Sequence, residues 1–313
     1  MNLFQKMLDE LPFSPDELSD LVNTAQYRYK VYKIPKRQSG QFRTIAQPSP
    51  EIKLIQRWLI NTVLSKLPIH KAATAYRKNI SIANHAEAHA QKRFLLKMDF
   101  KDYFPSISAI DVRKYLTEIG KFSVENARLI SLLVCWRDKE KNRLCLSIGA
   151  PSSPFLSNAI LFTFDKQINE LLKGRKIIYT RYADDLAFST NKKEHLFDVA
   201  DLVKGLCVDL EYPKLKVNDD KTILVSRAFK RVLVGLTLTP EGKVSLGREK
   251  KRRLRCELYR YSLGSVDSEL IPKLRGELAF AWSVEKSFID SLLKQFGVDL
   301  FRKLELPFSI LEQ

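Results

Sequence analysis

Three aspartates supply the first chemistry in this sequence: Asp99, at the exit of the apolar run 94–98, and the adjacent Asp184 and Asp185 between two strand-like segments. On neighbouring strands of one sheet these side chains would meet at one end. Clustered carboxylates repel unless divalent cations neutralise them, and hard oxygen ligands select Mg²⁺, with Mn²⁺ the alternative. Two such ions about 3.5–4 Å apart would activate a 3′-oxygen and stabilise a departing pyrophosphate in an in-line displacement. An Asp-Asp step by itself is also ordinary turn chemistry, since aspartate favours hairpin tips. The surrounding residues decide between the two.

The elements that must position these acids follow from periodicity. Leu18, Leu21, Val22 and Ala25 recur at helical spacing behind Ser14 and Glu17, a capping-box pair, so the chain opens with helices. Residues 29–45 alternate as a hairpin whose tip, Lys36 to Gly40, is cationic. A helix is expected over 49–67, stopped by Pro68. The run 94–98 is a buried strand. Helices over 109–119, 124–136 and 155–172 follow, with a loop at 147–154. Strands 177–182 and 186–190 form a tight hairpin through Ala183, Asp184 and Asp185; a helix over 195–210 and strands near 216–217, 222–225 and 232–239 complete the body. Beyond Gly247 the pattern turns helical, beginning with a run that holds six cations in eight positions.

Composition narrows the partner. The 313 residues are 45% hydrophobic, enough to bury a continuous core, and 53 Lys and Arg against 36 Asp and Glu leave a net charge of +17. That excess points to a polyanion, nucleic acid first, bound with release of counterions. No stretch approaches the roughly 18 apolar residues of a membrane span, and the N-terminus lacks the basic and apolar segments of a signal peptide, so no membrane association and a cytoplasmic location are expected. Cys135, Cys145, Cys207 and Cys256 lack paired spacing, which predicts neither a zinc knuckle nor a disulfide framework.

Five segments in a fixed order resemble the reverse transcriptases. Tyr182-Ala183-Asp184-Asp185 matches their Y-x-D-D hairpin, and Asp99-Phe100 with Phe104 resembles their first catalytic motif. Gly149-Ala150-Pro151-Ser152-Ser153-Pro154 resembles a G-x-x-x-S-P loop, Arg43-Thr44-Ile45-Ala46-Gln47-Pro48 an R-x-I-x-x-P fingers motif, and Asn218 to Thr222 an N-x-x-K-T segment. Within that family the chain is most similar to the bacterial retron enzymes. Two retron motifs are altered: N-A-x-x-H stands as His85-Ala86-Glu87-Ala88-His89, and V-T-G as Leu233-Val234-Gly235. His85 and His89 share a helix face, and RNA contact or local structure is expected of them rather than metal binding. Ile148 replaces the Gln that many reverse transcriptases carry before this Gly.

The resemblance implies an α+β right-hand polymerase: an N-terminal helical extension over 1–29, fingers and palm (antiparallel sheet plus helices) over 30–240, and a helical, duplex-binding thumb over 241–313. It implies catalysis by Asp99, Asp184 and Asp185, with Asp99, Asp184 and the Phe100 carbonyl holding two Mg²⁺ ions and Asp185 assisting as a ligand. Arg43, the backbone amides of Asp102 and Tyr103, Phe104, Gly149 and Lys221 would bind the nucleotide. Phe104 would exclude a ribose 2′-OH, and Lys221 would protonate pyrophosphate. Arg248, Lys250, Lys251, Arg252, Arg253 and Arg255 would grip nucleic acid; a solvated helix face is the alternative for such a run, and the net charge of +17 favours phosphate contact. Retron likeness further implies copying of a structured noncoding RNA with dNTPs into branched msDNA primed from a guanosine 2′-OH. It also implies template removal by host RNase H, and anti-phage defence with a co-encoded effector. The competing expectations are a group II intron-like or diversity-generating reverse transcriptase, and a noncatalytic RNA-binding scaffold.

Overall fold

The apolar run before Asp99 becomes an interior strand because both of its faces are covered. The computed structural model describes residues 2–35, 40, 42–140 and 142–306. In it a four-stranded antiparallel sheet has the spatial order Ile178–Tyr182, Asp185–Thr190, Phe94–Asp99, Ile223–Ser226. Alternate side chains of a strand point to opposite faces. Leu96, Met98, Leu186 and Phe188 accordingly join a large core with the helices behind the sheet, whereas Leu95 and Ala187 join a second core on the other face.

The first core is built by the helices Leu3–Glu10, Pro15–Thr24, Pro50–Thr62, Ala109–Glu118, Val124–Val134, Ser152–Ile160, Phe162–Leu171 and Val199–Asp209. The second gathers the helix Ile82–Ala90, a small sheet of Arg231–Leu233, Leu236–Leu238 and Val244–Ser245, and the C-terminal helices Arg248–Ser262, Ile271–Val284, Lys286–Phe296 and Val298–Lys303. The N-terminal hairpin pairs Tyr29–Pro35 with Phe42–Pro48, and the Ala46 amide donates to the Ile148 carbonyl at 2.9 Å, docking the 147–150 loop on it. The expected cationic tip at 36–39 lies outside the described residues. No helix among the described residues is long and apolar enough to cross a membrane.

Local differences from the periodicity have local causes. The helix expected over 155–172 is two helices broken at Leu161. The helix expected to reach 136 ends at Val134, because Trp136–Asp138 pairs with Arg143–Cys145 as a short hairpin. The strand expected over 232–239 turns back on itself where Val234 (φ 46°) and Gly235 (φ 80°) both adopt left-handed backbone, the geometry of a two-residue hairpin loop. Residues 216–217 make only an isolated bridge, Val217 to Phe100.

Candidate active site

Strand register brings the three acids together. Asp99 lies directly opposite Asp185, and Asp185 opposite Tyr182, so these three side chains share one face of the sheet. The hairpin loop is Ala183-Asp184, with Ala183 in left-handed backbone (φ 57°) and Asp185 already in the second strand. The Asp184 carbonyl accepts from the Phe100 amide at 3.1 Å, tying the tip to the residue after Asp99. On the other side the Asn218 amide donates to the Asp99 carbonyl at 2.7 Å and the Lys101 amide to the Lys216 carbonyl at 2.8 Å; this bridge leaves the Phe100 carbonyl outside the pairing.

The electrostatics call for a cation. Burial, then the Asp184 and Asp99 charges, push the Asp185 carboxyl up to about 7. Burial and Asp99 also raise Asp184. Asp99 is buried, and the Lys221 ammonium reaches its Oδ2 at 2.9 Å, a protein cation standing where a metal's charge is wanted. Among the described residues no three His, Cys, Asp or Glu side chains form a ready-made metal cage. The carboxylates of Asp99 and Asp184 are hard oxygen donors that would suit a divalent cation completing its sphere with water and substrate phosphates.

Two buried networks hold the hairpin from beneath. Arg181, fully buried, donates Nε and Nη2 to the Asp165 carboxylate at 2.9 and 2.6 Å. Its Nη1 reaches the Tyr103 hydroxyl at 2.9 Å, Asn158 Oδ1 at 3.1 Å and the Ala183 carbonyl at 3.1 Å. Burial works against the guanidinium charge, but Asp165 together with the Tyr103 and Tyr179 phenols more than offsets it, so Arg181 stays ionised. On the opposite face His89 bonds Ser189 and Thr180 at 2.7 Å each, and His85 bonds Thr74 and Thr180 at 2.9 Å each. Both imidazoles are fully buried, which removes the expected RNA contact and leaves local structure. Burial depresses His85 to about 4 and, with His85 beside it, His89 to about 3, so both are neutral.

A cavity of about 410 Å³ is lined by Gln47, Lys53, Arg57, Tyr76, Phe104 and the 147–151 loop among others; the acids themselves do not line it, and Tyr76, its ring 6.5 Å from Tyr182, connects it to the Asp184 hairpin. Phe104 and Gly149 of the expected nucleotide set thus share one wall system. Gly149 (φ 117°) is needed for its close approach: a Cβ there would lie 3.2 Å from the Ala46 carbonyl oxygen and 3.2 Å from Ile45 Cγ2. Asp102 adopts left-handed backbone (φ 48°) and starts the short helix Tyr103–Ser106. Tyr103 is buried under the sheet, where its hydroxyl serves Arg181. Burial raises both Asp184 and Tyr76, and the exposed Arg43 lies near enough to oppose that rise slightly at each.

The cationic run forms the first turns of Arg248–Ser262, with Leu254 and Leu258 buried beneath. Four of its six cations are engaged within the chain: Lys251 pairs with Glu285, Arg253 with Glu277, and Lys250 and Arg255 lie over the Phe280 and Phe288 rings at 4.7 and 5.3 Å. Arg248 and Arg252 are exposed on one face. Sequence reasoning missed Asp165, Asn158, Thr180 and Tyr76. The available signal for Asp165 was an acid between Phe164 and Ile168 on an apolar helix stripe.

Comparison with known proteins matches residues 34–250 to the family described as reverse transcriptase (RNA-dependent DNA polymerase). The chain belongs to the reverse transcriptases. It is 39% identical over 280 residues to the retron Ec83 reverse transcriptase of Escherichia coli, covering 88% of this chain and 89% of that one. It is 30% identical over 311 residues to the retron Ec86 reverse transcriptase of the same organism, covering 97% and 93%. Among solved structures, the telomerase from Candida albicans in complex with the TWJ fragment of telomeric RNA superimposes with a TM-score of 0.50 at 13% identity, over 91% of this chain but only 62% of that one. A Candida tropicalis telomerase gives 0.51 at 13% identity, over 91% and 58%. This chain thus spans less than two thirds of either telomerase, and at such identity the likeness shows the fold alone. This reverse transcriptase is of the bacterial retron type: an RNA-directed DNA polymerase with an α+β fold, an RNA template and the divalent-metal dependence general to its family.

Proposed function

We propose that this enzyme copies part of a structured noncoding RNA into branched msDNA, starting from a guanosine 2′-OH, and acts in anti-phage defence with a co-encoded effector. Its similarity to retron enzymes along nearly the whole chain supports this reading. Host RNase H removes copied template, dNTPs are the substrates, and the cytoplasm is the compartment. Fingers and palm are assigned to 30–240, the thumb to 241–313 and the N-terminal extension to 1–29; the boundary at 240 runs through the small sheet that the C-terminal helices pack upon.

The observation that carries the catalytic assignment is the register pairing of Asp99 with Asp185 beside the Asp184 tip. Asp99, Asp184 and the Phe100 carbonyl would hold two Mg²⁺ ions, with Mn²⁺ able to substitute and Asp185 assisting. When bound, these ions offset the charge that develops on the attacking and leaving oxygens. Phe104 meets the sugar of the incoming nucleotide, and the Gly149 loop closes the cavity over it. Arg43 and the amides of Asp102 and Tyr103 take triphosphate oxygens, where the forked guanidinium suits an oxyanion. Lys221, released from Asp99, donates a proton to the departing pyrophosphate. The thumb cations, Arg248 and Arg252 foremost, contact phosphates of the duplex.

Primer extension on the co-encoded RNA with Mg²⁺ and dNTPs tests the assignment. Asp184→Asn should abolish product while RNA binding persists; equal product from both proteins would refute it. For the retron reading the product should stay joined to RNA until debranched, and an ordinary 3′-primed cDNA counts against it.

A further inference from the structure

Tyr76 is held at the cavity in a way that internal packing does not explain. It is 49% exposed and sits outside both hydrophobic cores, yet its backbone is left-handed (φ 60°), a rare conformation for a large side chain. The chain just before it is clamped to the catalytic hairpin. The Thr74 amide donates to the Arg181 carbonyl at 2.8 Å, the Arg181 amide donates to the Ala72 carbonyl at 2.7 Å, and Asn158 Nδ2 donates to the Ala75 carbonyl at 2.7 Å. These bonds fix where the ring stands. Its centroid is 6.5 Å from Phe104 and 6.5 Å from Tyr182, so three aromatic rings form a row from the cavity to the Asp184 hairpin. Tyr76 and Phe104 line the same cavity, together with Gly149 and Ala150.

We propose that Tyr76 is a nucleotide-contacting residue: its ring is the second wall of the cavity, against which the sugar and base of the incoming nucleotide pack beside Phe104. Strained backbone clusters where a side chain is needed in one place for a ligand. An aromatic face exposed in such a cavity suits a base or sugar edge whatever the base, because the contact is with a π surface rather than a hydrogen-bonding edge. The claim rests on the polymerase reading above and adds a residue to it.

Steady-state single-nucleotide incorporation on an RNA template, with dNTP concentration varied, tests it. Tyr76→Gly removes the ring and suits φ 60°, so this variant should fold at least as well as the parent. Its KM for dNTP should rise roughly 5- to 150-fold, the range of aromatic–base stacking, with kcat changing far less than KM. Tyr76→Phe, which keeps the ring, should stay within about twofold of wild type. A folded Tyr76→Gly with wild-type KM overturns the assignment, and so does an equal KM rise in Tyr76→Phe. If wild type incorporates nothing and matches Asp184→Asn, the polymerase reading itself falls; if wild type is active and Tyr76→Gly is neutral, only the Tyr76 assignment falls.

Discussion

Replacing Asp165 by alanine strands a charged guanidinium in a site with no access to water. Arg181 and Asp165 have side chains with no exposed surface, and the carboxylate accepts from Nε, Nη2 and the Tyr179 hydroxyl at 2.9, 2.6 and 2.7 Å. Breaking one side of such a pair costs about 3–5 kcal/mol, because the remaining charge keeps its desolvation penalty and loses its partner. Unfolding entropy of about 2.1 cal/mol/K per residue gives about 0.66 kcal/mol/K for 313 residues, so melting should fall by roughly 5–8 °C. The same guanidinium holds the Ala183 carbonyl at 3.1 Å, so kcat should fall as well while RNA affinity is kept. Calorimetry on Asp165→Ala, Arg181→Met and the double variant is the assay. The double variant should be less destabilised than the sum of the singles by about 2 kcal/mol, since removing the second partner removes the orphaned charge. Strict additivity, or a shift below about 1 °C for Asp165→Ala, would show that the pair does not hold the hairpin.

Other perturbations follow from the same geometry. Gly149→Val adds a Cβ 3.2 Å from the Ala46 carbonyl oxygen at a φ that valine avoids, so primer extension should drop more than about tenfold; wild-type activity would contradict the close approach. Because His85 and His89 titrate well below their usual 6.5 when folded, the unfolded chain takes up protons first as pH falls, and stability is lost from about pH 6.5 downward. At pH 5 the loss is about 2 kcal/mol per imidazole. A variant with His85→Asn and His89→Asn should therefore show a shallower pH dependence in urea melts, and parallel curves would refute neutral burial. Arg252→Ala should weaken RNA binding and reduce the slope of log K against log salt by about 0.7–0.9. Lys251→Ala, which loses its Glu285 partner, should instead lower the stability of the C-terminal helices with little change in that slope.

Much of this enzyme was legible in one dimension. The apolar run before Asp99 and the two strand-like segments flanking Asp184 predicted a buried strand and a hairpin, and register then placed Asp99 opposite Asp185. The five motif segments stand in order, and the fold class and family followed from them. Boundaries were less legible: the break at Leu161 and the turn at Val234-Gly235 depend on what the flanking segments pack against.

What only the tertiary structure decided is which polar groups meet. Periodicity tells which face of an element is buried, because each side chain's burial follows from its own position. It does not tell which distant partner satisfies a buried charge. Nothing near Arg181 in the chain names Asp165, and nothing near Tyr76 announces a ring turned out beside Phe104. The same limit applies to His85 and His89, whose burial against Thr180 and Ser189 leaves local structure and not RNA contact, and to the cation run, four of whose six charges are spent on its own helices. Pairings of that kind arise from chain segments brought together by the collapse of two cores around one sheet, so they are properties of the folded surface and not of any window of sequence.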